Sequence, residues 1–161
     1  MTSGNMGDLK QFDQLDRQII EKMCTSSQGS YRQLAKELGV HPTTLMQRLK
    51  VLENKGVING FRAKINYFTM GFDYMGIVQI YSEDIVNAEK DLASFDEVVA
   101  VYDVTGEADA MVIVACEDRE SFYAAIKRIA ALPTVSKSNT SIVLDVVKSP
   151  DDFVPKLTER D

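Results

Sequence analysis

From residue 13 onward, apolar and polar positions alternate in two different rhythms along the chain. Residues 13–24, DQLDRQIIEKMC, open on Asp13, a side chain suited to capping a helix, and place Leu15, Ile19, Ile20 and Met23 at helical spacing. A loop, TSSQG, follows. Ser30 is placed to cap a second helix, YRQLAKEL, with Tyr31, Leu34, Ala35 and Leu38 on its apolar face. Gly39 stands where a helix commonly ends in the left-handed conformation, and Pro42 suits the first turn of a third helix.

On that third helix Leu45, Leu49 and Leu52 share one face, which predicts its buried side. Thr43, Gln47, Lys50 and Asn54 project opposite, with His41 and Thr44 near the start and Arg48 on a flank. A row of hydroxyls, amides and cations is compatible with a merely solvated face. It is equally suited to reaching base edges and phosphates from a major groove. Two helices around a glycine-containing turn favour the second reading, because helix-turn-helix units have this form. The candidate DNA-contacting set is Arg32, His41, Thr43, Thr44, Gln47, Arg48 and Lys50. Next comes KGVINGFRAKIN, predicted as a short alternating strand whose Arg62 and Lys64 suit either the DNA backbone or a charged edge.

Beyond residue 73 the period changes repeatedly. YMGIVQIYS reads as a strand and IVNAEKDLASF as a helix, with Ile85, Ala88, Leu92 and Phe95 on one side. VVAVYDVTG and ADAMVIVAC read as two strands joined by a glycine-containing turn. DRESFYAAIKRIAAL reads as a helix starting from Asp118, and TSIVLDVV as a last strand. The order βαββαβ predicts a ferredoxin-like sandwich, so the fold class is α+β with an N-terminal, winged-helix-like helix-turn-helix domain. The expected organisation is a DNA-binding domain over 1–60 (motif about 31–50), a strand or hinge linker over 61–73, a ferredoxin-like domain over 74–148 and an irregular tail over 149–161. Both helices of such a sandwich lie on one face of the sheet. AMVIVA is apolar at every position, so the open face is expected to meet a second subunit.

Composition alters this picture mainly through charge. The 161 residues carry a net −6, yet residues 1–70 hold ten Lys/Arg against six Asp/Glu, a net +4, and residues 71–161 a net −10. That asymmetry predicts an N-terminal part that meets a polyanion and a C-terminal part that does not. No apolar run approaches the ~18 residues of a membrane span, so no membrane partner is expected. The N-terminus has neither the basic nor the apolar region of a secretory signal. Cys24 and Cys116 lie far apart in apolar patterns and are expected to be buried thiols of a reducing cytoplasm.

The segments FDQLDRQII and YRQLAKELGVHPTTLMQRLKVLENKGVINGF resemble the N-terminal half of the leucine-responsive and asparagine-responsive regulators, the Lrp/AsnC or feast/famine family. The pairs Leu34–Ala35, Gly39–Val40, Pro42–Thr43, Arg48–Leu49 and Leu52–Glu53, and then Gly56–Val57–Ile58, fit the family pattern in register, and the resemblance runs to about Lys148. One position departs: the family usually has Ser before Pro42, where this chain has His41, which suits either a cap or a DNA contact.

In the turn VTGEADA, Gly106 permits close backbone approach and Asp109 is placed to accept an ammonium, although a plain hairpin turn with a solvated Asp has the same spacing. The resemblance implies that this G-x-x-D turn belongs to an effector cleft, completed by Thr140 and Ser141. Tyr102 is placed either to line that cleft or simply to pack. It also implies a homodimer that assembles further into tetramers or octamers, with an amino-acid effector and no other cofactor.

The expected function is therefore a sequence-specific transcription regulator of double-stranded DNA, cytoplasmic and nucleoid-associated, whose operator binding a small metabolite tunes. An effector-independent architectural DNA binder is the alternative. An enzyme is not expected: His41 is the single histidine, and no nucleophile–base pair or metal-ligand spacing is present.

Overall fold

A computed structural model of the chain describes residues 12–25, 30–61 and 63–157. The anticipated TSSQG loop (from residue 26 onward), Arg62 and the last four tail residues lie outside that description. Helix α1 spans Gln14–Thr25, α2 Tyr31–Glu37 and α3 Pro42–Asn54. Each begins on the residue that its chemistry selects. Asp13 Oδ1 accepts from Asp16 N at 2.9 Å, and Ser30 Oγ accepts from Gln33 N at 3.2 Å. Gly39 leaves α2 at φ 67°, a region where a Cβ would be strained. The three helices enclose Ile19, Leu34, Ala35, Leu45, Leu49 and Leu52, all buried.

Among the described residues of 55–66 there is no strand: an extended run needs a ladder partner, and none pairs with them there. The chain divides at Lys64/Ile65 and again at Val147/Lys148. The tail therefore groups with the N-terminal helices rather than standing apart. Within that first unit, Asp152 pairs with Lys64, and Arg17 Nη1 donates to Leu157 O at 3.4 Å. A 3-10 turn, Pro150–Asp152, follows Ser149, whose N–H and hydroxyl donate to Asp152 Oδ2 at 2.9 and 3.0 Å.

The second unit has β1 (Tyr74–Tyr81), α4 (Ile85–Ala93), β2 (Val98–Asp103), β3 (Ala110–Cys116), α5 (Arg119–Ala130) and β4 (Lys137–Ile142). The sheet order is β2-β3-β1-β4 and all three pairings are antiparallel, the ferredoxin-like arrangement. One face packs Val78, Ile80, Val112 and Val114 against Ala88 and Leu92 of α4 and Phe122, Ala125 and Ile129 of α5. Asp118 starts α5 with a reciprocal capping box to Ser121, Oδ1 accepting from Ser121 N at 2.8 Å. The other face presents Met75, Ile77, Met111 and Ile113, of which Ile77 is 37% exposed.

The last strand is displaced from its expected position. TSIVLDVV predicts a strand to Val147, but the ladder with β1 runs from Lys137 to Ile142, and Leu144 and Val147 are exposed beyond it. Pairing won over apolar pattern: Asn139 Nδ2 reaches Gln79 Oε1 at 3.0 Å across the two strands. Cys24 also differs from expectation. It ends on the exposed side of α1, whereas Cys116 is buried, and desolvation raises its thiol pKa.

Candidate functional site

The wheel of α3 sorts its residues as the leucine spacing requires. Leu45, Leu49 and Leu52 are buried, and Thr43, Thr44, Gln47, Lys50 and Asn54 are exposed. His41 is the N-cap, and its ring performs the task that Ser or Asp usually does: Nδ1 accepts from Thr43 N at 3.3 Å. An accepting Nδ1 places the ring proton of the neutral side chain on Nε2. Both anticipated roles of His41 remain compatible with this geometry, since the ring is exposed. Pro42 at the first helical position costs no hydrogen bond there. Arg32 is exposed on α2, as is Lys36.

Arg48 behaves differently from its neighbours. Its Nη1 lies 2.6 Å from Asp13 Oδ2 and 3.2 Å from Asp16 Oδ1. The two carboxylates raise its pKa further, while the Asp16 backbone N–H and the Arg48 guanidinium hold Asp13 below the usual carboxylate range. Asp16 was not singled out by the sequence pattern, although Asp13 and Asp16 three apart share a helix face, and that spacing was the available signal.

In the second unit the β2–β3 turn is built around Asp109. Its N–H donates to Ile80 O at 2.9 Å, its carbonyl accepts from Val104 N at 3.2 Å, and its Oδ2 accepts from Ser82 N at 2.9 Å. Ser82 is the residue that the sequence did not flag. Gly106 has φ 134°, which only glycine adopts without strain. Tyr102, half exposed, lies on the sheet's open face opposite Met111. Thr140 pairs with Val78 on the helix-covered face, and Ser141 pairs with Ile77 on the open face. The structure thus brings Ser82, just after β1, to Asp109 of the Gly106–Asp109 turn, but β4 lies two strand spacings from β3, about 10 Å away. Thr140 and Ser141 are not brought to the turn within one chain.

Among the described residues, no group of three or more His, Cys, Asp or Glu has the arrangement to hold a metal ion. No helix among them is long and apolar enough to cross a membrane.

Residues 12–59 match the model of a winged helix-turn-helix DNA-binding domain, and residues 77–152 that of the Lrp/AsnC ligand binding domain. An uncharacterised HTH-type transcriptional regulator of Pyrococcus horikoshii is 39% identical over 145 residues, 89% of this chain and 97% of that one. The regulatory protein AsnC of Escherichia coli K12 is 30% identical over 137 residues, 83% of this chain and 90% of that one. The solved structure of E. coli AsnC superposes with a TM-score of 0.76 at 27% identity, covering 87% of this chain and 98% of that one. A feast or famine regulatory protein from M. tuberculosis, complexed with L-methionine, shares the fold with a TM-score of 0.80 at 24% identity, covering 89% and 99% of the two chains.

Proposed function

The chain belongs to the Lrp/AsnC family of DNA-binding transcription regulators, and from that premise we propose which residues do the reading and which do the sensing. Helix α3 enters the major groove with Thr43, Thr44, Gln47 and Lys50 toward the duplex, while His41 and Arg32 approach the flanking backbone. The observation that carries this reading is the exposed polar row of α3, held outward by three buried leucines on the opposite side. Hydroxyls and amides on such a row select base edges, and each good bidentate contact contributes ~1–3 kcal/mol of discrimination. A second copy covers the open sheet face, and the resulting two-fold pairs two reading helices on a palindrome.

The sensing site is the Gly106–Asp109 turn. Asp109 gives one carboxylate oxygen to Ser82 N, which fixes the carboxylate to receive an ammonium. The ligand is a free amino acid or a close metabolite. Two remote solved structures of this fold contain L-methionine, so methionine is the first compound to try.

The test is a thermal-shift panel of the twenty amino acids on wild type and on Asp109→Ala, run beside selection of preferred duplexes from random DNA. One compound should raise Tm in wild type and not in the variant, and the selection should return a palindrome. A flat panel together with a diffuse, AT-biased selection would instead establish an architectural DNA binder without an effector.

A further inference from the structure

We infer that Arg48 is a positioning residue: bridging Asp13 and Asp16 of α1, it fixes how α3 is turned toward DNA and is not itself a DNA contact. The inference rests on the proposed reading of α3 as the DNA-reading helix.

The bracket is well defined. Arg48 Nη1 lies 2.6 Å from Asp13 Oδ2 and 3.2 and 3.3 Å from the two oxygens of Asp16. Asp13 is in turn fixed, because its other oxygen accepts Asp16 N at 2.9 Å. Asp16 is 6% exposed and is the one buried charged residue among those described. A buried carboxylate persists where a cation pairs with it, and here that cation comes from the middle of α3.

The charges argue against a phosphate contact. One guanidinium between two carboxylates leaves a net negative charge beside the helix, which repels a phosphate. Lys50 and Arg32, by contrast, have no carboxylate within ion-pair distance among the described residues.

The geometry shows why such a bracket matters. Leu45, Leu49 and Leu52 hold α3 by apolar packing, which is strong but not directional. A reading side chain sits about 5–6 Å from the helix axis, so turning α3 by about 10° moves its tip by roughly 1 Å. Hydrogen bonds to base edges do not survive an error of that size. Thr44 lies one turn before Arg48 and Gln47 beside it, so the strut acts where the reading residues are.

The experiment uses the full chain and two duplexes, one selected by the wild type from random DNA and one scrambled. Arg48→Met, Asp16→Asn, Asp13→Asn and the Arg48→Met/Asp16→Asn pair are titrated with each duplex across a salt series. The expected result is a loss of about tenfold or more in the selected-to-scrambled affinity ratio for each single variant. The double variant should be no worse than Arg48→Met, and the slope of log K against log salt should not change. Asp13→Asn removes the exposed half of the bracket and serves if Asp16→Asn does not fold.

Three outcomes would overturn the inference. Arg48→Met alone could weaken both duplexes equally and reduce the slope by about 0.9 while the Asp variants bind as wild type, which marks a phosphate contact. All variants could lower Tm while the folded protein keeps its discrimination, which marks a merely structural pair. Finally, a wild type that selects no preferred duplex overturns the reading of α3 as well, a failure recognisable before any variant is compared.

Discussion

Gly76 of β1 lies directly against Phe122 of α5: a Cβ at this position would come within 2.5 Å of a ring carbon and 3.3 Å of the Ser141 carbonyl. Phe122 is nearly buried and packs in the main core, so the ring has little room to retreat. Gly76→Ala should cost about 1–3 kcal/mol of stability by overpacking, seen as a lower denaturation midpoint with an unchanged m value. A midpoint equal to wild type would mean that the ring shifts freely. At this scale the sequence was readable where a side chain has one satisfactory environment. The buried leucines of α3 were legible from spacing alone. Asp16 was not, since its partner Arg48 stands 32 residues further on and only folding brings them together. Ser82 was hidden for the same reason, 27 residues from the carboxylate that accepts its N–H.

Elements repeat the lesson through their ends. Helix starts were legible, because Asp13, Ser30 and Asp118 each leave an oxygen where the first free N–H groups point. The start of α3 is the instructive case, since a ring nitrogen performs the cap. His41→Ala should therefore destabilise the N-terminal unit by about 1 kcal/mol, whereas His41→Ser should preserve or raise its stability. Equal melting of the alanine variant and wild type would show that the ring contributes nothing to the helix. Strand ends were less legible than helix ends. Strand β4 is chosen by its ladder with β1 and not by its own apolarity: the polar KSNTSI pairs, Val143 N–H still reaches Met75 O at 2.8 Å, and the exposed Leu144 and Val147 lie beyond the ladder. For the same reason Thr140 and Ser141 lie away from the Gly106–Asp109 turn in one chain.

On the scale of the whole molecule, the acid limb of stability follows from carboxylates held below their ordinary range. Lys64, then Ser149, holds Asp152 down to about 2; Asp118 is lowered by Ser121, and Asp13 by Asp16 and Arg48. A carboxylate with a depressed folded pKa stabilises fully above its unfolded value of 3.8, and that contribution is lost as pH falls toward the folded one. Tm should accordingly be level from neutrality to about pH 5 and fall between about pH 5 and pH 2. The decline should be shallower in Asp152→Asn, whose Tm at neutral pH should already be lower. Superimposable pH profiles for the two proteins would show that the Lys64–Asp152 pair does not contribute in solution. The division of charge was legible from counting alone, and so was the βαββαβ order. The return of the tail to the N-terminal unit was not, because SPDDFVPKL carries neither helical nor strand rhythm to announce a destination.

That return has a consequence in time. A ribosome delivers α3 when 54 of 161 residues have been made, but residues 148–157, which complete the same unit, follow only after the entire βαββαβ unit. At ~5–20 residues per second, the helix waits roughly 5–20 s for the segment that closes its unit. The helix-turn-helix unit is thus begun before the βαββαβ unit and closed after it.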